Sequence, residues 1–215
     1  MPFHKTLTLF LTALLSLPLF AQITTDDSQP DWDVTQPDFG STPVTASLDI
    51  TEGTWLSLDV SPDGNTIVFD LLGDIYRIPI TGGDAIPVTS GFEWDMQPRF
   101  SPDGKEIAYT SDRTGGDNIW IQSLESGTAR QLTYEKFRLL NNPTWSPDGQ
   151  YIAARKHFTT SRSLGTGEIW LYHVNGGEQQ QGQLVVERPS ESFQKEQGEP
   201  MFSPDGDAIY FSRNT

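Results

Sequence analysis

From about Leu48 onward, short apolar-rich runs alternate with clusters of Ser, Pro, Asp and Gly. Four of those clusters are identical: Ser61–Gly64, Ser101–Gly104, Ser146–Gly149 and Ser203–Gly206 all read Ser-Pro-Asp-Gly. Each follows a hydrophobic residue (Val60, Phe100, Trp145, Phe202) and precedes a β-rich run at Thr66–Phe69, Glu106–Tyr109, Tyr151–Ala154 or Ala208–Phe211. Proline presets φ for a turn, Asp bonds its own backbone two residues on, and glycine takes a positive φ freely. A strand therefore ends before each Ser, and an antiparallel partner begins after each Gly. Three copies carry a second echo, Asp74-Ile75-Tyr76, Asn118-Ile119-Trp120 and Glu168-Ile169-Trp170. In the second repeat the pattern predicts strands at Trp94–Phe100, Lys105–Ser111, Asn118–Leu124 and Arg130–Tyr134; the first runs similarly through Asp74–Ile80 and Ala85–Thr89.

Four strands per repeat of this length are the blade of a β-propeller. The fold class is all-β, with three full blades and the first two strands of a fourth before Thr215. From the turn Pro to the echo aromatic the spacing lengthens from 14 to 18 to 23 residues, which places an extended hairpin at Arg155–Gly167. Loops on a rigid scaffold are where function concentrates. Glu187–Gly198 reads as a polar surface loop.

The first residues fall outside this pattern. His4 and Lys5 precede the apolar stretch Leu7–Phe20, which Pro18 interrupts, and Ala21 follows. This predicts a secretory signal peptide over residues 1–21 and a periplasmic or secreted protein, with no integral membrane span after cleavage. Residues 22–42 read as a flexible leader, and 43–215 as the partial propeller. Val44, Ala46, Leu48 and Ile50 alternate with polar residues, so Pro43–Ile50 is expected to be a strand. It would either close the last blade or add an edge to the first. The chain has no cysteine, hence no disulfide framework. A net charge of −15 argues against a nucleic-acid partner.

Hydrolytic signatures such as Gly-x-Ser-x-Gly, His-x-His and His-Glu-x-x-His are missing, so no catalytic or metal-ligating residue and no cofactor is assigned to this chain. The turn acids Asp63, Asp103, Asp148 and Asp205 are explained by their turns, and Asp112, Asp117 and Asn118 lack a calcium-loop pattern. Of the histidines His4, His157 and His173, His157 stands out because it ends the run Arg155-Lys156-His157. Two cations and an imidazole on an acidic protein are the candidate binding site, for a carboxylate or a partner domain. The alternative is that the cations pair with nearby acids and His157 packs. Asp95, Gln97, Arg99, Asn141, Thr144 and Glu199, on the innermost strands, are expected to face a water-filled central tunnel.

The hydrophobic-Ser-Pro-Asp-Gly turn followed by Asn/Glu-Ile-Trp resembles the PD40 (WD40-like) repeats of TolB-type propellers. The segments Glu52–Trp55, Val68–Tyr76, Asp95–Phe100 and Ala154–Phe158 resemble the N-terminal propeller of bacterial secreted amidohydrolase-type proteins. That resemblance implies a non-catalytic docking or gating domain. Its partner would be a C-terminal metal-dependent hydrolase domain holding a divalent metal, or an envelope protein. Rival implications are a TolB-like protein-binding module and the propeller of a prolyl-oligopeptidase-type serine peptidase.

Overall fold

The computed structural model describes residues 33–40, 42, 47, 49–137, 139–158, 166–190 and 197–214. The expected signal peptide, most of the expected leader and residues 159–165 of the expected hairpin lie outside these residues. So does most of the strand expected over 43–50, of which Ser47, Asp49 and Ile50 are described and lie in no strand.

The four turns are built identically. Each Ser hydroxyl donates to the Asp Oδ1 at 2.5–2.6 Å. The same Oγ accepts the N–H five residues on, at 2.9–3.0 Å. Glycine closes the loop at φ between 70° and 79°. This local network, not distant packing, ends one strand and starts the next. Lys105, expected in a strand, instead donates its N–H to Asp103 within the turn.

Fourteen strands result: β1 Leu58–Val60, β2 Thr66–Leu71, β3 Asp74–Pro79, β4 Ile86–Pro87, β5 Asp95–Phe100, β6 Glu106–Ser111, β7 Asn118–Ser123, β8 Ala129–Gln131, β9 Leu139–Trp145, β10 Tyr151–Phe158, β11 Thr166–His173, β12 Gln183–Val186, β13 Gln197–Phe202 and β14 Ile209–Arg213. They form three four-stranded antiparallel blades, β1–β4, β5–β8 and β9–β12, and a two-stranded sheet β13–β14. The blades form an unclosed propeller. The outer strands β4 and β8 are short because a threonine replaces part of the ladder. Thr89 Oγ1 accepts the Ile75 N–H, and Thr133 Oγ1 the Ile119 N–H, both at 2.9 Å.

The core lies between blades. Val68, Ile75, Phe100, Ile107 and Tyr109 fill the space between blades 1 and 2. Ala108, Ile119, Leu132, Leu140, Trp145, Ile152 and Tyr172 fill that between blades 2 and 3. Ile107 and Ala108 are adjacent on β6 and both fully buried, since a central strand here has no solvent face. The turns stack as well: a Cβ on Gly104 would stand 3.4 Å from Pro62, and one on Gly206 3.6 Å from Pro147.

Candidate functional site

The cationic run lies in β10, which extends to Phe158, so these residues belong to a strand and not to a projecting loop. The pleat sends neighbours to opposite faces. Lys156 turns toward blade 2, where its Nζ meets Glu135 Oε1 at 2.5 Å and lies 3.8 Å from the Trp170 ring centroid. Arg155 turns toward blade 4, so close that a Cβ on Gly198 would stand 2.5 Å from its Cδ. Its Nη2 is 3.2 Å from His157 Nδ1. Arg155 and Lys156 are both buried; His157 is half-buried. The three therefore form no single convergent cluster: Lys156 is an inter-blade bracket, Arg155 packs against the next blade, and His157 sits near the end of the strand.

The Lys156 bracket repeats one blade earlier, a relation the sequence reading missed. Arg113 Nη2 contacts Asp95 Oδ2 at 2.9 Å and Glu93 at 3.3 Å, and its guanidinium lies 4.6 Å from the Trp120 ring. In both cases an acid from the link between blades meets a cation stacked on the echo aromatic of strand three. Burial pushes the Asp95 carboxyl up, and bonds from Ser111 and Arg113 oppose that shift. Asp95 is 1% exposed, so it does not line a tunnel.

The inner strands also carry a feature absent from the strand predictions. Each of β5, β9 and β13 carries a bulge, at Gln97-Pro98, Asn142-Pro143 and Glu199-Pro200. The residue before each proline takes φ of 58°, 52° and 53°. Proline cannot donate to a ladder, so it is tolerated where the bulge breaks one. The bulges are chained across blades. Asp70 Oδ2 accepts the Gln97 N–H at 2.7 Å, and Gln97 Oε1 accepts the Asn142 N–H at 2.8 Å. Gln97 is thus committed to the next blade, while Arg99 donates to the Leu58 and Pro98 carbonyls. The signal was a proline three residues before the turn Ser in three of the four copies.

Antiparallel topology gives the propeller two unlike faces. The Ser-Pro-Asp-Gly turns lie on one, where hydrogen bonds from Ser and from the chain hold the Asp63, Asp103, Asp148 and Asp205 carboxyls below the usual range. The other, the link face, carries the β2–β3 and β6–β7 turns and the inter-blade links. There Trp55, Leu72, Phe92, Trp94, Phe137 and Leu139 are exposed. Trp94 covers Gly73, whose Cβ would lie 3.0 Å from its ring, and Phe92 meets Phe39 edge-on at 5.2 Å. β10 runs toward this face, so His157 and Phe158 reach its rim. These exposed apolar side chains make the link face the candidate interaction surface. Among the described residues no group of three or more His, Asp or Glu could hold a metal ion. Asp112 instead accepts the Trp94 N–H, and Asn118 ties β7 to Glu135. No helix among them is long and apolar enough to cross a membrane.

Blades, turns and faces together define a TolB-like β-propeller domain. The solved structure of TolB from Acinetobacter baumannii superposes with a TM-score of 0.56 at 26% identity, covering 74% of this chain and 37% of that one. The family model for the tricorn protease N-terminal beta propeller domain matches residues 58–188, and the chain belongs to that family. The chain is 33% identical to "Uncharacterized peptidase YuxL" of Bacillus subtilis (strain 168) over 62% of its length and 24% of that protein's. It is 32% identical to "Tricorn protease homolog 1" of Streptomyces coelicolor over 43% of its length and 9% of that protein's. The chain thus spans a quarter or less of these two relatives.

Proposed function

We propose that this chain is the non-catalytic propeller of a larger periplasmic or secreted hydrolase, docking a catalytic domain on its link face and gating access to it. The observation that carries this reading is the exposed apolar row from Trp55 to Leu139 on one face, opposite a face of tied carboxylates. His157 and Phe158 extend that row at its rim. Membership of the tricorn propeller family and the likeness to YuxL support a peptidase as the host. The segments resembling amidohydrolase-type propellers support a metal-dependent host, whose divalent ion would be held by residues of its own catalytic domain. The likeness to TolB supports a second reading, a protein-binding module without catalysis.

The reading frame beyond Thr215, checked against the mass of the native protein, separates these. Gly-x-Ser-x-Gly downstream identifies a peptidase host and His-x-His an amidohydrolase; a stop with neither removes the hydrolase reading. In the longer protein, Trp94→Ser with Leu72→Ser should speed limited proteolysis between propeller and catalytic domain severalfold while the β-sheet circular dichroism stays unchanged. Equal cleavage rates would reject docking on this face.

A further inference from the structure

A cleft between blades 2 and 3 holds polar groups that docking leaves unused. Its volume is about 290 Å³, and it lies where the β8–β9 link passes the outer half of β11. Trp170 and Tyr172, two residues apart on β11, share the face that forms its floor. Tyr172 is 1% exposed, and its hydroxyl has no hydrogen-bond partner among the described residues. The β11–β12 loop folds down over this ring. A Cβ on Gly182 would stand 2.5 Å from Tyr172 Cε1, so glycine is what allows the loop to close. The same loop delivers Gln180, whose Oε1 accepts the His173 N–H at 3.1 Å while its buried Nε2 has no partner. Glu135 and Lys156 wall the third side.

Buried donors without partners bear the full cost of their desolvation, so each one in a native fold calls for an explanation. Here two of them line one cleft. We infer that the cleft binds a small neutral polyhydroxylated ligand, of the size of a single sugar ring. The unbonded Tyr172 hydroxyl and Gln180 amide donate and require acceptor oxygens, whereas the Glu135 and Glu178 carboxylates accept and require donors. Neighbouring hydroxyls on a sugar supply both. Two carboxylates against one ammonium disfavour an anion. Lys156 already occupies the Trp170 face that a cationic ligand would use. The volume corresponds to about ten water molecules, well beyond one bridging water.

This inference is independent of any catalytic domain and is tested on the whole chain. Glucose, galactose, mannose and N-acetylglucosamine serve as probes in saturation-transfer NMR, with Tyr172→Phe and Gln180→Ala as variants. Tyr172→Phe removes only an oxygen that bonds nothing in the protein, so folding is preserved. At least one sugar should receive saturation, and Tyr172→Phe should weaken its Kd about tenfold while the ligand-free Tm is no lower than that of the parent chain. Gln180→Ala should weaken it in the same direction. No transfer to any of these sugars, or the same Kd in Tyr172→Phe, overturns the inference. Transfer to N-acetylglycine methylamide with none to the sugars overturns it in favour of a peptide ligand.

Discussion

At the scale of single residues, the two cation brackets look alike but should not be worth the same. Arg113 pairs with Asp95, whose side chain is 1% exposed and has no route to water. Arg113→Ala strands that carboxylate, and removing one partner of a buried pair costs about 3 kcal/mol or more. Lys156 pairs with Glu135, whose side chain is 24% exposed and rehydrates when the lysine is removed. Lys156→Ala should therefore cost only about 1–2 kcal/mol, mostly lost packing and cation–π contact on Trp170. Urea unfolding of both variants checks the order; equal losses would show that exposure of the acid does not set the cost. His157, half-buried and near the strand end, is expected to change stability least of the cationic run.

At the scale of elements, each turn is self-sufficient while each blade contact is not. Gly149→Ala meets only Pro102 at 3.9 Å, so its cost is that of placing a side chain at φ +71°, about 1 kcal/mol. Gly167→Ala is different, because its Cβ would run into the Gln197 backbone oxygen of β13 and the Arg155 side chain. Neither can move without separating blade 3 from β13–β14. The expected loss is about 2–3 kcal/mol, accompanied by faster hydrogen exchange in β13 but not in β5. Uniform exchange across the blades would show that β13–β14 is not the element displaced. Legibility divides in the same way. Hairpin turns could be read because all their partners lie within five residues. The bulges left only a local mark, the proline three residues before the turn Ser, and what holds them could not be read, since Gln97 is held by Asp70, 27 residues earlier, and Asn142 by Gln97, 45 residues earlier. The candidate site was legible only as a list. The run 155–157 stands out in the sequence as a candidate, but its division between two blade interfaces needed the pleat and both neighbours.

At the scale of the whole molecule, charge sets the response to pH. Burial raises the Asp74, Asp95 and Asp117 carboxyls above their ordinary value of 3.8, so their charged forms oppose folding at neutral pH. The net charge of −15 opposes it too, through self-repulsion. Mild acidification relieves both, and stability should rise as pH falls from 7 toward the carboxylate range. The four turn acids act in the opposite sense. With native pKa values below 3.8, they contribute stability above that pH and lose it as pH falls through their lowered values. Thermal melting should therefore peak on the mildly acidic side and collapse below about pH 4, and added salt should raise Tm most near neutrality. A Tm that falls steadily from pH 7 downward would refute this balance.

The chain itself determined the strand endings, the four-stranded repeat and the acidic turn face, because Ser-Pro-Asp-Gly satisfies its own hydrogen bonds locally and glycine's φ needs no distant help. Tertiary structure alone decided which cations meet which acids, which groups hold the bulges of the inner strands, and that an aromatic face and an unsatisfied polar cleft exist. Those features depend on one blade lying against the next. Blade order places groups some 18 to 46 residues apart within hydrogen-bond reach, a juxtaposition that no local pattern encodes.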